Sequence, residues 1–117
     1  MAVEKLLDIT SDINADGRAT LDIGGWDNAI VQLVTPNTTA TFSSTNDGGG
    51  ITGVSDGSAA SAINFIVVQG TNLNSGSAVT TLAVSGIVRF TNIGQYFRIE
   101  GPGLSVTKAL VRLYKIN

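Results

Sequence analysis

Lys108-Ala109-Leu110-Val111-Arg112-Leu113-Tyr114, near the C-terminus, sorts its side chains by parity. Ala109, Val111 and Leu113 make an unbroken apolar row, whereas Lys108, Leu110, Arg112 and Tyr114 make a mixed one. Successive side chains of a strand point to opposite faces, so this period of two assigns the segment from Val106 to Lys115 to a sheet with one buried side. Lys and Arg stems lie readily across apolar surface with their charges in water, which makes the mixed row compatible with plain surface. Its Arg and Tyr content is also what the centre of a protein contact favours.

The same pattern recurs toward the N-terminus. Ala19, Leu21 and Ile23 alternate with Thr20 and Asp22, and Ala40 and Phe42 alternate with Thr39, Thr41 and Ser43. Leu6 to Ile9, Ile63 to Gln69, Ala78 to Val84, Gly86 to Phe90 and Gln95 to Glu100 complete the predicted strands, with turn residues at 11–17, 72–77, 92–94 and 101–103 between them. The run from Trp26 to Val34 is apolar on both faces at its end, because Ile30 and Val34 lie opposite Val31 and Leu33. That suits a central strand, or one whose outward face is covered by a neighbouring chain. Trp26, Phe42, Phe97 and Ile99 are the expected core supports. Residues 46–62 are rich in Gly, Ser and Asp and read as a long surface loop, with a brief strand around Ile51 to Val54. Eight or nine short strands without an amphipathic helix predict one all-β domain, an antiparallel, jelly-roll-like β-sandwich over residues 1–117.

Composition sets further bounds. With 117 residues, the chain can bury roughly 65% of its unfolded surface and fold alone. Only 14% of residues are charged, against about 25% in ordinary domains, so Ser, Thr, Asn and Gly supply much of the polar surface. Charge is unevenly placed. Residues 1–58 carry eight acidic side chains against Lys5 and Arg18, a sum of -6; residues 59–117 carry Arg89, Arg98, Lys108, Arg112 and Lys115 against Glu100, a sum of +4. Two such halves predict complementary poles that meet other molecules, with Lys108, Leu110, Arg112, Tyr114 and Arg98 on one side and acidic groups near Asp8, Asp22 and Asp27 on the other.

Candidate chemistry is sparse. The chain has no His and no Cys, which removes His-dependent triads, thiolate nucleophiles and disulfides. A Ser-Lys pair would need Lys5, Lys108 or Lys115 beside an activated serine. A pair of carboxylates such as Asp47 and Asp56 would have to face a sugar across about 5 to 9 Å without an aromatic lining. Asp12-Ile13-Asn14-Ala15-Asp16-Gly17 reproduces the opening of a calcium loop, making Asp12, Asn14 and Asp16 weak Ca²⁺ candidates. The twelfth position, however, is Ile23 rather than Glu, which favours an ordinary Asx-rich turn. Arg89, Arg98 and Arg112 are interleaved with Phe90, Tyr96, Phe97 and Tyr114, but alternation divides these aromatics between two faces rather than gathering a stacking platform for nucleic acid. Asn37-Thr38-Thr39 fits the N-glycosylation pattern, although the N-terminal residues lack the features of a secretory signal. The expectation is a cytoplasmically made, non-enzymatic product with no cofactor and no membrane span.

Gly25-Trp26-Asp27 leading into Ile30 to Val34, then Thr45-Asn46-Asp47-Gly48-Gly49, Ile63 to Gln69, Gln95-Tyr96-Phe97-Arg98-Ile99 and the final strand together resemble the small, cysteine-free β-sandwich proteins encoded among structural genes of tailed bacteriophages. The resemblance spans residues 19–115. It implies a virion location as a capsid-decoration, head-fibre or tail-associated module, with capsid or tail proteins and copies of itself, as a trimer, for partners. It carries no catalytic residue. The alternative is a receptor- or carbohydrate-binding fibre module that meets a host-surface glycan through the loop at 46–60.

Overall fold

Two antiparallel sheets pack face to face in the computed structural model, which describes residues 2–47, 51, 53–54, 64–91 and 93–116. In chain order the strands are β1 Ala2–Asp8, β2 Arg18–Asp22, β3 Asn28–Val34, β4 Ala40–Thr45, β5 Ile66–Val67, β6 Gly70–Asn72, β7 Ala78–Val79, β8 Thr81–Leu82, β9 Gly86–Thr91, β10 Tyr96–Glu100 and β11 Lys108–Ile116. One sheet has the order β1-β11-β3-β9-β6-β7; the other runs β2-β10-β4-β5, with β8 also on β4. The sandwich is as expected, with eleven strands among the described residues rather than eight or nine.

The extra strands arise where the chain changes sheet. The predicted strand from Ala78 to Val84 breaks at Thr80. Ala78 pairs with Thr71 in the first sheet, while Thr81 pairs with Thr41 in the second. The carbonyl of Thr80 accepts a 3.1 Å hydrogen bond from the Phe42 amide at the crossover. Period-two alternation cannot reveal such a switch, because both halves are extended. Of the predicted strand from Ile63 to Gln69, Ile63 lies outside the described residues, and among the others Ile66–Val67 form the strand, against Ser44 and Ser43.

The inner faces meet as parity requires. Ala109, Val111 and Leu113 are buried beside Ala29, Val31 and Leu33 of β3, and β9 adds Val88 and Phe90. Phe42 and Phe97 come from the second sheet. With Phe90 they form an aromatic cluster whose ring centroids lie 4.9 to 6.0 Å apart, within the range for offset and tilted aromatic pairs. Ile99 is fully buried in the same core, and Trp26 packs against its edge half-buried. Gly17 fixes one end of the sandwich. Its φ is +84°, and an added Cβ would lie 2.0 Å from the Gly101 carbonyl oxygen, so neither the turn nor the close packing tolerates a side chain.

Candidate functional site

The two outward faces differ. On the five-stranded sheet, Thr20, Arg98 and Ser43 lie side by side on β2, β10 and β4 and are all buried. The chain's own polypeptide roofs them. The Phe65 ring lies over Arg98 with its centroid 4.4 Å from the guanidinium carbon, and Val54 covers the free edge of β2, its carbonyl accepting from the Thr20 amide at 2.7 Å. Arg98 Nε donates to Thr20 Oγ1 at 3.0 Å, and Arg98 is 0% exposed. The expectation that Arg98 serves an intermolecular contact is therefore corrected. Alternation placed it on an outward face, but that face is internal to the subunit.

The six-stranded sheet carries no such roof among the described residues. Lys108, Leu110, Arg112 and Tyr114 stand in one outward row on β11, as their parity requires. Pairing register then supplies the neighbours. Across β1, β11, β3 and β9, one level holds Leu6, Arg112, Ile30 and Arg89; the next holds Asp8, Leu110, Gln32 and Ile87. Leu6 is 72% exposed and Ile87 37%, and together with Ile30 and Leu110 they line a shallow groove of about 440 Å³. Ile30 lines this groove while Val31 and Leu33 enter the core, which accounts for a strand that reads as apolar on both sides.

Charge on this face is locally matched. Arg112 Nε donates to Glu4 Oε2, and the Arg112 guanidinium lies 5.1 Å from the Tyr114 ring centroid. Lys108 Nζ lies 3.2 Å from Asp8 Oδ2. The Thr10 hydroxyl and amide also donate to Asp8 Oδ1, at 2.6 and 3.0 Å. These bonds from Thr10, followed by that from Lys108, stabilise the ionised carboxylate and lower the Asp8 pKa to about 2. On the other sheet Arg18 pairs with Glu100. The acidic and basic halves of the sequence are thus not separate poles. Antiparallel pairing of the first strand with the last lays them side by side, as does β2 against β10.

The remaining sequence candidates separate. Asp22 is exposed at the end of β2, on the other sheet, and its Oδ1 accepts from the Gly24 amide at 3.0 Å. Asp27 is half-buried, and its amide donates to the Tyr114 carbonyl at 3.1 Å, so it adjoins the end of β11. Neither joins Asp8 in an acidic contact surface. Asn14 closes its own turn, its Oδ1 accepting from the amides of Asp16 and Arg18 at 3.0 and 3.1 Å. Asp12 lies in a 3-10 turn, Thr10–Asp12. The three calcium candidates therefore belong to an Asx-turn segment, and among the described residues no three acidic, His or Cys side chains are grouped to hold a metal. Asn37 ties two loops, accepting from the Ser105 amide at 2.7 Å and donating to the Gly103 carbonyl at 3.1 Å. Asp56, the triple glycine Gly48 to Gly50 and most of the loop proposed for glycan recognition lie outside the described residues.

Sequence reading missed Glu4, Leu6 and Ile87 as members of the exposed face. Leu6 falls in a short apolar pair whose two members go to opposite faces. Ile87 is separated from Leu110 by 23 positions and becomes its neighbour only through β3.

Fold and face together define an all-β sandwich in which Thr20, Arg98 and Ser43 of one sheet are covered by the chain itself, while its β5 edge exposes Ile66 and Val67, and the outward face of the other sheet has no such cover among the described residues. No family model and no curated protein matches the sequence. Among solved structures it is similar to one described as the crystal structure of SPBc2 prophage-derived protein YomS, with 10% sequence identity, a TM-score of 0.65, and coverage of 97% of this chain and 93% of that one. The likeness is one of fold over nearly the full length of both chains.

Proposed function

We propose that this protein is a non-enzymatic structural component of a phage particle, which assembles through the outward face of its six-stranded sheet. The observation that carries the reading is the apolar groove on that face, set between two ion pairs. The chain covers Thr20, Ser43 and Arg98 with its own residues yet leaves Leu6 and Ile87 in water beside Ile30 and Leu110. Apolar surface rimmed by charged residues is a common form of interaction site. The prophage origin of a structure with the same fold supports the phage context.

The assembly role is tested with particles produced without the protein and incubated with purified wild type or Leu110→Glu. Wild type co-sediments with the particles in a fixed ratio, while the variant, checked for native circular dichroism, stays in the supernatant. Equal retention of both proteins, or of neither, contradicts the reading. A parallel glycan array separates the fibre-module alternative, which requires selective sugar binding that Leu110→Glu leaves intact.

A further inference from the structure

We infer that the occupant of the open face is a second copy of this chain, docked about a two-fold axis that crosses the strands midway between the Leu6 and Asp8 levels. The inference deepens the proposed assembly role and rests on it for the choice of face. Its basis is the spacing of charge. Outward residues of β1 are Glu4, Leu6 and Asp8; those of β11, level by level, are Tyr114, Arg112, Leu110 and Lys108. Acidic groups occupy the first and third levels and basic groups the second and fourth.

Rotation about the stated axis exchanges the first level with the fourth and the second with the third. It sets the second copy's Glu4 beside Lys108 and the second copy's Asp8 beside Arg112. The four charges of β1 and β11 are therefore self-complementary, each acidic group joining a basic group of the other copy without leaving the one it already pairs with, while Arg89 on β9 faces Ile87 of the second copy. Leu6, Leu110, Ile30 and Ile87 zigzag across four strands, and the rotation sets each over the polar position of its own strand in the second copy (Asp8, Arg112, Gln32 and Arg89), next to the apolar residues of the adjoining strands.

Size and the alternative edge contact agree with this choice. Strand spacing of about 4.8 Å and a rise of about 3.3 Å give a footprint of roughly 19 by 23 Å over the four long strands. Counted on both copies, that is about 900 Å², in the range of weak, transient contacts, which fits a modest, concentration-dependent dimer. Pairing of two β1 edges is disfavoured. A two-fold normal to the sheet opposes residues of equal parity, so its central registers set Glu4 against Glu4, Lys5 against Lys5, or Glu4 against Asp8.

The test uses purified full chain in sedimentation velocity over about 1 to 200 µM, the range in which a weak dimer dissociates. Wild type shifts from monomer to dimer, and Leu6→Glu, at a site already in solvent, remains monomeric with unchanged circular dichroism. Two charge variants extend the test, one carrying Glu4→Lys with Asp8→Lys and the other Lys108→Glu with Arg112→Glu. Each stays monomeric alone, and their mixture forms a one-to-one dimer that Leu6→Glu in either partner abolishes. Monomer throughout, a trimer, or a dimer unaffected by Leu6→Glu overturns the two-fold contact. A protein that is monomeric yet bound to particles overturns this inference while leaving the virion role standing; a dimer absent from particles supports the two-fold and contradicts the virion role. If both charge variants fail to fold, the Leu6→Glu comparison still decides between these outcomes.

Discussion

Glu4 and Arg112, 108 positions apart in the chain, form an ion pair across the first and last strands. Their side chains are each about half exposed, at 50% and 49%, so solvent screens the attraction. A double-mutant cycle with Glu4→Ala and Arg112→Ala at low protein concentration, in urea denaturation, is expected to give a coupling of about 0.2 to 1 kcal/mol that shrinks as salt is raised. The pair ties the edge strand β1 to β11 without dominating the stability of the sheet.

Asp8 makes stability depend on pH in a defined direction. Its folded pKa of about 2 lies below the ordinary carboxylate value, so the unfolded chain binds the proton more readily as acid is added. The stabilisation is complete above about pH 4, the unfolded value, and is lost as pH falls toward the folded one. Asp8→Asn should therefore flatten the stability profile between these limits and leave its slope near neutrality unchanged. Urea midpoints measured across that range check the sign.

Arg98 and Phe65 hold the roof of the five-stranded sheet. Phe65→Leu keeps an apolar cover but removes the aromatic face over the guanidinium, and is expected to cost about 1 to 2 kcal/mol. Arg98→Ala costs more, because it opens a cavity and leaves Thr20 Oγ1 without that donor. Both variants should retain the wild-type state of association, since neither residue reaches the open face. Chemical denaturation and sedimentation measure the two properties separately.

Thr35 has a φ of +51°, a left-handed conformation that a β-branched residue adopts at a cost. Its amide donates to Ser85 Oγ at 2.8 Å, which ties the turn after β3 to the approach of β9. Asn tolerates this conformation better and keeps the amide, so Thr35→Asn is expected to raise stability by up to about 1 kcal/mol. A thermal melt that falls instead would show that the Thr35 side chain contributes more to the turn than its backbone strain removes.

The sandwich was legible because parity survives wherever a strand has one dry face. Ala109, Val111 and Leu113 announce their burial, and Lys108, Leu110, Arg112 and Tyr114 their shared outward row. Long-range pairing was not legible. The -6 and +4 halves suggested separated poles only because a linear reading cannot show that β1 lies against β11. Arg98 was misassigned for a related reason, since alternation distinguishes two sides of a strand but does not reveal that Phe65 returns to cover one of them. Ile30 gave the opposite lesson. An apolar residue on the nominally wet face of β3 marked the groove before its lining residues on β1 and β9 had been brought together.

A virion role is tested most directly by counting copies of this protein in density-purified particles with isotope-labelled peptide standards. A structural component is present in every preparation at one constant copy number per particle, and that number collapses when the particles are made with Leu110→Glu. Protein recovered only in the soluble lysate, or in particles at amounts that vary with washing, would contradict the role.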